Sequence, residues 1–196
     1  MPSDNIEHIL RQMKEAEDKR RGYADFFDWP IDRSRGELGV VEALAEALHG
    51  KGSAFFTQVK SRRRGQDPPD VEALDFDGRR VAVEVSELVD GSAIQASKSG
   101  SQYVTARWPR TRFLGELRER LRAKLGRFQQ LKDGPYPGGY VVVLYTDERA
   151  LMRFHVTQYL KGEVFPEIEQ THRVFLLLSY DPMVKGYPVF ELARGV

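Results

Sequence analysis

The feature that most constrains the fold is a β-hairpin signal that carries two carboxylates. Asp77-Gly78 is a dipeptide typical of a tight hairpin turn, and it stands between two strand-like runs. Glu84 lies among alternating valines of the second run, where an ionised carboxylate is costly without a cation or hydrogen-bonding partner. Asp70 stands at the start of the first run. Because a hairpin places its strands side by side, the pattern predicts that both carboxylates converge as divalent-metal ligands.

The spacing of these residues resembles a known nuclease signature. Pro69-Asp70, then thirteen residues, then Glu84-Val85-Ser86 is similar to the motif of the PD-(D/E)XK nuclease-like superfamily, which has the restriction-endonuclease fold. The resemblance implies hydrolysis of phosphodiester bonds in DNA, with Asp70, Glu84 and the Val85 carbonyl holding Mg²⁺ or Mn²⁺. The family has a lysine two residues after the glutamate, and this chain has Ser86 there.

The missing lysine directs attention to a helix predicted over residues 111–132. Lys124 falls within the apolar stripe of this helix, three residues after Leu121 and four before Phe128. In some members of the superfamily the lysine has migrated to the neighbouring helix, so the resemblance implies Lys124 as the catalytic lysine. The structural alternative is a packed stem with the amine in water, and Lys98 is the second choice for the catalytic role.

The resemblance also implies an acidic residue from the first helix of the core. A helix is predicted from Ser34 to His49, and Glu37 shares the apolar stripe of Val41. Glu42 is the alternative, and an ordinary first-turn acid favoured by the helix dipole is the structural interpretation of Glu37.

Two basic clusters flank the predicted site in the sequence. They comprise Lys60, Arg62, Arg63 and Arg64 before the hairpin, and Arg107, Arg110 and Arg112 around Trp108. Arginine clusters near aromatic residues suit phosphate contact and base stacking, so nucleic acid, and DNA in particular, is the expected partner. The alternative for such charge runs is a solvated loop.

The order of predicted elements indicates an α/β fold. A helix, three strands, the long helix and a buried strand over residues 140–145 follow one another, which is the αβββαβ order of the restriction-endonuclease fold, with a mixed central sheet flanked by helices. A single domain over 1–196 is predicted. Its parts are a peripheral N-terminal helix and connection (1–30), a nuclease-like core (35–145), and a C-terminal elaboration with further strands (146–196).

Composition narrows the classes of function. The 196 residues include 30 basic and 29 acidic side chains and no cysteine. The absence of cysteine excludes thiolate zinc sites and cysteine nucleophiles, and no secretory or membrane-spanning pattern is evident. The expectation is a cytoplasmic protein with no membrane contact. The N-terminal helix is expected to dock on the core or on a second copy, which makes a homodimer one expectation.

A second function follows from the same observations. The formal net charge is only +1, and Ser86 replaces the usual lysine. Both favour a nuclease fold that has lost catalysis and serves as a nucleic-acid-binding or protein-interaction module.

Overall fold

The structure, a computed structural model, describes residues 33–62, 65–99, 107–168 and 172–192. The N-terminal helix and connection predicted over residues 1–30 lie outside the described residues. The helices and strands are α1 (Arg33–Gly50), β1 (Phe56–Ser61), β2 (Val71–Asp75), β3 (Arg80–Glu87), α2 (Gly91–Lys98), α3 (Arg110–Leu125), a 3-10 turn (Phe128–Gln130), β4 (Tyr140–Thr146), α4 (Arg153–Leu160), β5 (His172–Leu178) and β6 (Val189–Leu192).

The six strands form one mixed sheet in the order of the sequence. The first three strands are antiparallel neighbours, β4 lies parallel to both β3 and β5, and β6 is antiparallel to β5. Helix α3 belongs to the connection between the parallel strands β3 and β4, as parallel pairing requires a long crossover. The prediction of an α/β class with a mixed sheet flanked by helices is confirmed.

The sheet has a hydrophobic core on each face. Successive side chains of a strand point to opposite faces, so Val81, Val83 and Val85 of β3 pack in the core that includes α1. Ala82 of the same strand packs in the core that includes α3. Strands β4 and β5 are buried on both faces and are therefore almost continuously apolar. The same alternation directs Glu84 towards α3.

Some predicted helix boundaries were wrong. Helix α3 ends at Leu125 rather than continuing to 132, because Gly126, a poor helix former, stands at its C-cap. Helix α2 begins after Asp90, whose carboxylate accepts bonds from the backbone amides of Ser92 and Ala93.

The loop before β4 is held close to the start of β3. The amide of Gly138 donates a hydrogen bond of 2.8 Å to the Arg80 carbonyl. A β-carbon at position 138 would lie 2.8 Å from both the Arg79 carbonyl oxygen and Val81 Cγ2. This approach is possible only for glycine, and it aligns the hairpin with β4.

We therefore expect opposite effects from alanine at two glycines. Gly138→Ala should lower the free energy of unfolding by about 1–3 kcal/mol, because backbone atoms must shift. Gly115→Ala, on the exposed side of α3 with open space around it, should raise it by about 0.5–1 kcal/mol. Urea unfolding of both variants measures this difference, and a neutral Gly138→Ala would contradict the close approach.

Candidate active site

The two hairpin carboxylates are buried side by side. Val71 of β2 pairs with Val83 of β3, so the next positions along this antiparallel register are Asp70 and Glu84. Residues opposite each other in such a pair present their side chains on the same face. Asp70 is 3% exposed and Glu84 is fully buried.

Lys124 lies between these carboxylates. It belongs to the last turn of α3, and its Nζ donates to Asp70 Oδ2 at 2.8 Å and to Glu84 Oε2 at 2.5 Å. Its carbonyl accepts a 2.6 Å bond from the Tyr140 hydroxyl, which fixes the end of the helix on β4. Only 10% of the side chain is exposed, so the alternative of an amine in water is wrong. The structure thus brings Asp70, Glu84 and Lys124 together.

The backbone of Val85 orients Asp70. Its amide donates to Asp70 Oδ2 at 2.9 Å. The amides of Ala82 in β3 and of Leu88 just after it donate to the carbonyls of Gly139 and Tyr145, on the β4 side. Because successive residues of a strand alternate in direction, the amide and carbonyl of Val85 face the β2 side. The backbone edge that the metal hypothesis requires is therefore beside Asp70.

Arg127 is the member of the site that sequence reasoning missed. One guanidinium nitrogen lies 2.9 Å from Glu84 Oε2 and 3.8 Å from Asp70 Oδ1, and another lies 3.5 Å from Asp67. Arg127 falls within the helix predicted over 111–132, but in the structure it lies after the end of α3. Its position three residues after Lys124 was the available signal.

The cluster is balanced in formal charge, yet one oxygen has no partner. Lys124 and Arg127 face two carboxylates, and both contact Oε2 of Glu84. Oε1 of Glu84 is buried without a hydrogen-bond partner among the described residues. Burial and the charge of Asp70 raise the pKa of the Glu84 carboxyl to about 7, against the opposing effect of the two cations. An unpartnered acceptor next to a second carboxylate fits a cation ligand.

A cleft of about 240 Å³ adjoins the cluster. Ser86, Lys124 and Arg127 line it together with other residues of α3, including Glu119 and Arg120. Ser86, at the position where the PD-(D/E)XK motif has its lysine, thus lines the same cleft as Lys124. The cleft gives solvent a route to the two cations of the cluster.

The acids predicted from the first helix lie elsewhere. Glu37 is half-buried in the first turns of α1, and Glu42 is exposed on the same helix. Helix α1 packs against the face of the sheet opposite to that on which Glu84 and Lys124 meet. The cluster is therefore built from the hairpin and the end of α3.

The first basic cluster divides between surface and interior. Lys60 is exposed on β1, whereas the Arg62 side chain is 8% exposed and pairs with Glu72 and Asp133. Arg62 therefore joins the hairpin to the loop before β4, and its guanidinium is not free to contact a phosphate. Arg63 and Arg64 lie outside the described residues, as does the side chain of Lys98.

The second basic cluster mostly connects helices to their surroundings. Arg107 is exposed, but Arg110 pairs with Glu163. Arg112 lies 2.8 Å from Asp90 and stacks on the Trp108 ring at 4.5 Å. Among the predicted nucleic-acid contacts, Lys60 and Arg107 are exposed, and neither forms an ion pair with another described residue.

Comparisons with known proteins add no relative. No family model matches the chain, and neither a curated protein nor a solved structure matches it significantly. Within the described ranges, no group of three or more His, Asp or Glu side chains is arranged to hold a metal. The nuclease resemblance therefore stays a prediction.

No helix in the same ranges has the length and apolar character needed to cross a bilayer.

The raised pKa of Glu84 predicts a pH dependence of stability. Between its ordinary value of 4.5 and about 7, the folded protein holds a proton that the unfolded chain releases. Stability should therefore fall as pH rises through this window, by up to about 1.4 kcal/mol for each pH unit. Urea unfolding in EDTA at several pH values should show this slope for wild type and a smaller slope for Glu84→Gln. Parallel profiles would contradict the assignment.

Proposed function

We propose that this protein hydrolyses phosphodiester bonds in DNA with Mg²⁺ or Mn²⁺, at a site built from Asp70, Glu84 and Lys124. The observation that carries the proposal is the contact of one buried amine with both hairpin carboxylates, at 2.8 and 2.5 Å. These are the three residue types of the PD-(D/E)XK signature, with the lysine supplied from the helix. The antiparallel hairpin followed by a helical crossover to the parallel strand β4 supports a restriction-endonuclease-like core.

Three groups of the chain would hold the metal. They are the carboxylates of Asp70 and Glu84 and the carbonyl of Val85, and the Oε1 of Glu84, which has no partner among the described residues, is an acceptor that a cation could use. Oxygen donors of this kind suit Mg²⁺ and Mn²⁺. When bound, such an ion polarises a phosphoryl group and lowers the pKa of a water ligand.

Lys124 would supply the protonated amine of the reaction. Its Nζ carries a proton at the edge of the cleft, where it would orient the attacking water or stabilise charge that develops on a phosphate oxygen. The contacts with Asp70 and Glu84 fix the direction of the amine, since both acceptors are buried.

Loss of the amine should abolish cleavage. Lys124→Met retains the apolar stem, and Arg127 still pairs with Glu84, so the fold should persist. We expect Mg²⁺-dependent cleavage of duplex or single-stranded DNA to fall by at least about 100-fold. The matched control is Lys161→Met, because Lys161 is exposed at the end of α4. A Lys124→Met protein that cleaves as fast as this control would remove Lys124 from the reaction.

Loss of one carboxylate charge should weaken metal binding. Glu84→Gln keeps the size of the side chain but removes the negative charge from an oxygen-ligand site, so Mn²⁺ should bind at least about tenfold more weakly. Calorimetric titration of the wild type and the variant measures the change. Equal affinities would exclude Glu84 as a ligand.

A specific observation favours a second candidate function. Lys124 and Arg127 already neutralise both carboxylates, and Ser86 stands at the usual lysine position. The same arrangement would suit a protein that keeps the nuclease fold and binds nucleic acid or another protein without cleaving. Wild-type protein that fails to cleave duplex DNA, single-stranded DNA and RNA with either metal, yet binds one of them in fluorescence anisotropy, would select this function.

A further inference from the structure

Arg127 contacts the site in a way that the nuclease proposal leaves unexplained. Its guanidinium shares Glu84 Oε2 with the Lys124 amine and lies within 3.5–3.8 Å of Asp67 and Asp70. Glu84 thus has two cations on one oxygen and no partner, among the described residues, on the other. The second cation adds charge where a metal would have to bind.

Arg127 and Lys124 differ in secondary structure and in the exposure of their side chains. Lys124 belongs to α3 and its side chain is 10% exposed, whereas Arg127 lies beyond Gly126, after the helix, and its side chain is 25% exposed. Both line the cleft of about 240 Å³. Arg127 can therefore turn its guanidinium into the cleft without disturbing the helix or the sheet.

A guanidinium on one oxygen of a carboxylate and a divalent cation on the other repel each other. The two would be like charges a few ångströms apart, in a site where burial weakens the screening by water. Glu84 is fully buried, so water screens the repulsion between these two charges poorly. Binding of one cation must therefore weaken binding of the other.

We propose that Arg127 is a positioning residue that holds Glu84 in the metal-free protein and competes with the divalent cation for its carboxylate. Metal binding then displaces the guanidinium into the cleft. The inference rests on the proposed function for the metal site, and it adds a residue that sets the affinity of that site.

The test is calorimetric titration of the EDTA-treated full chain with MnCl₂ alone. Arg127→Gln removes the competing charge, and Arg122→Gln, the matched control, removes one charge from an exposed position of α3. We expect Mn²⁺ to bind Arg127→Gln about tenfold more tightly than Arg122→Gln. Arg127→Lys, which keeps the charge without the planar fork, should fall between wild type and Arg127→Gln.

Equal or weaker binding to Arg127→Gln than to Arg122→Gln would overturn the inference, as would the absence of Mn²⁺ binding in all four proteins. If Arg127→Gln does not fold, Arg127→Lys decides: binding tighter than wild type supports competition, and equal or weaker binding overturns it. Cleavage assays separate the two proposals. If the wild type cleaves DNA but Arg127→Gln binds Mn²⁺ no more tightly than Arg122→Gln does, the inference alone is overturned. Tighter Mn²⁺ binding by Arg127→Gln with an inactive wild type overturns the nuclease alone.

Discussion

The structure depends on the burial of one carboxylate in the middle of a sheet. Glu84 is fully buried on β3, between two hydrogen-bonded neighbour strands, and a charge there is tolerated only beside cations. This requirement fixes the rotation of α3, since a shift of one residue turns a helix by about 100° and would carry the Lys124 amine away from the sheet. It also fixes the turn after α3, which brings Arg127 to the same oxygen.

A buried cluster of charges such as this one contributes little to the net stability of a fold. Replacing a buried ion pair by well-packed apolar side chains is often neutral or stabilising, whereas breaking it costs several kcal/mol. Glu84 pairs with Val142 of β4, and the core on the same face of the sheet includes Ala82 and Leu121. The presence of two acids and two bases at this point, next to a cleft, therefore favours a chemical role, and it is this reasoning that gives weight to the nuclease proposal.

The sequence allowed the local parts of the site to be predicted, but not those that depend on distant contacts. The Asp77-Gly78 turn and the alternating valines are local signals, and they predicted the hairpin, although not the register in which Val71 pairs with Val83. Lys124 followed from helical spacing. The pairing of Arg62 could not be predicted from local signals, because its partner Asp133 lies 71 residues away. Helix α1, which carries Glu37, could pack on either face of the sheet, because an amphipathic helix fits both. Tertiary contacts decide which face it covers.

The charge balance of the cluster links the two proposals. With its own four charged groups the site is neutral, so a divalent cation arriving alone leaves an excess of positive charge in a poorly screened place. Moving Arg127 into the cleft relieves part of that excess. A phosphodiester bound in the cleft would relieve more, because it brings a negative charge to the displaced guanidinium and to Lys124. In the proposed site, metal and nucleic acid would therefore bind more strongly together than either does alone.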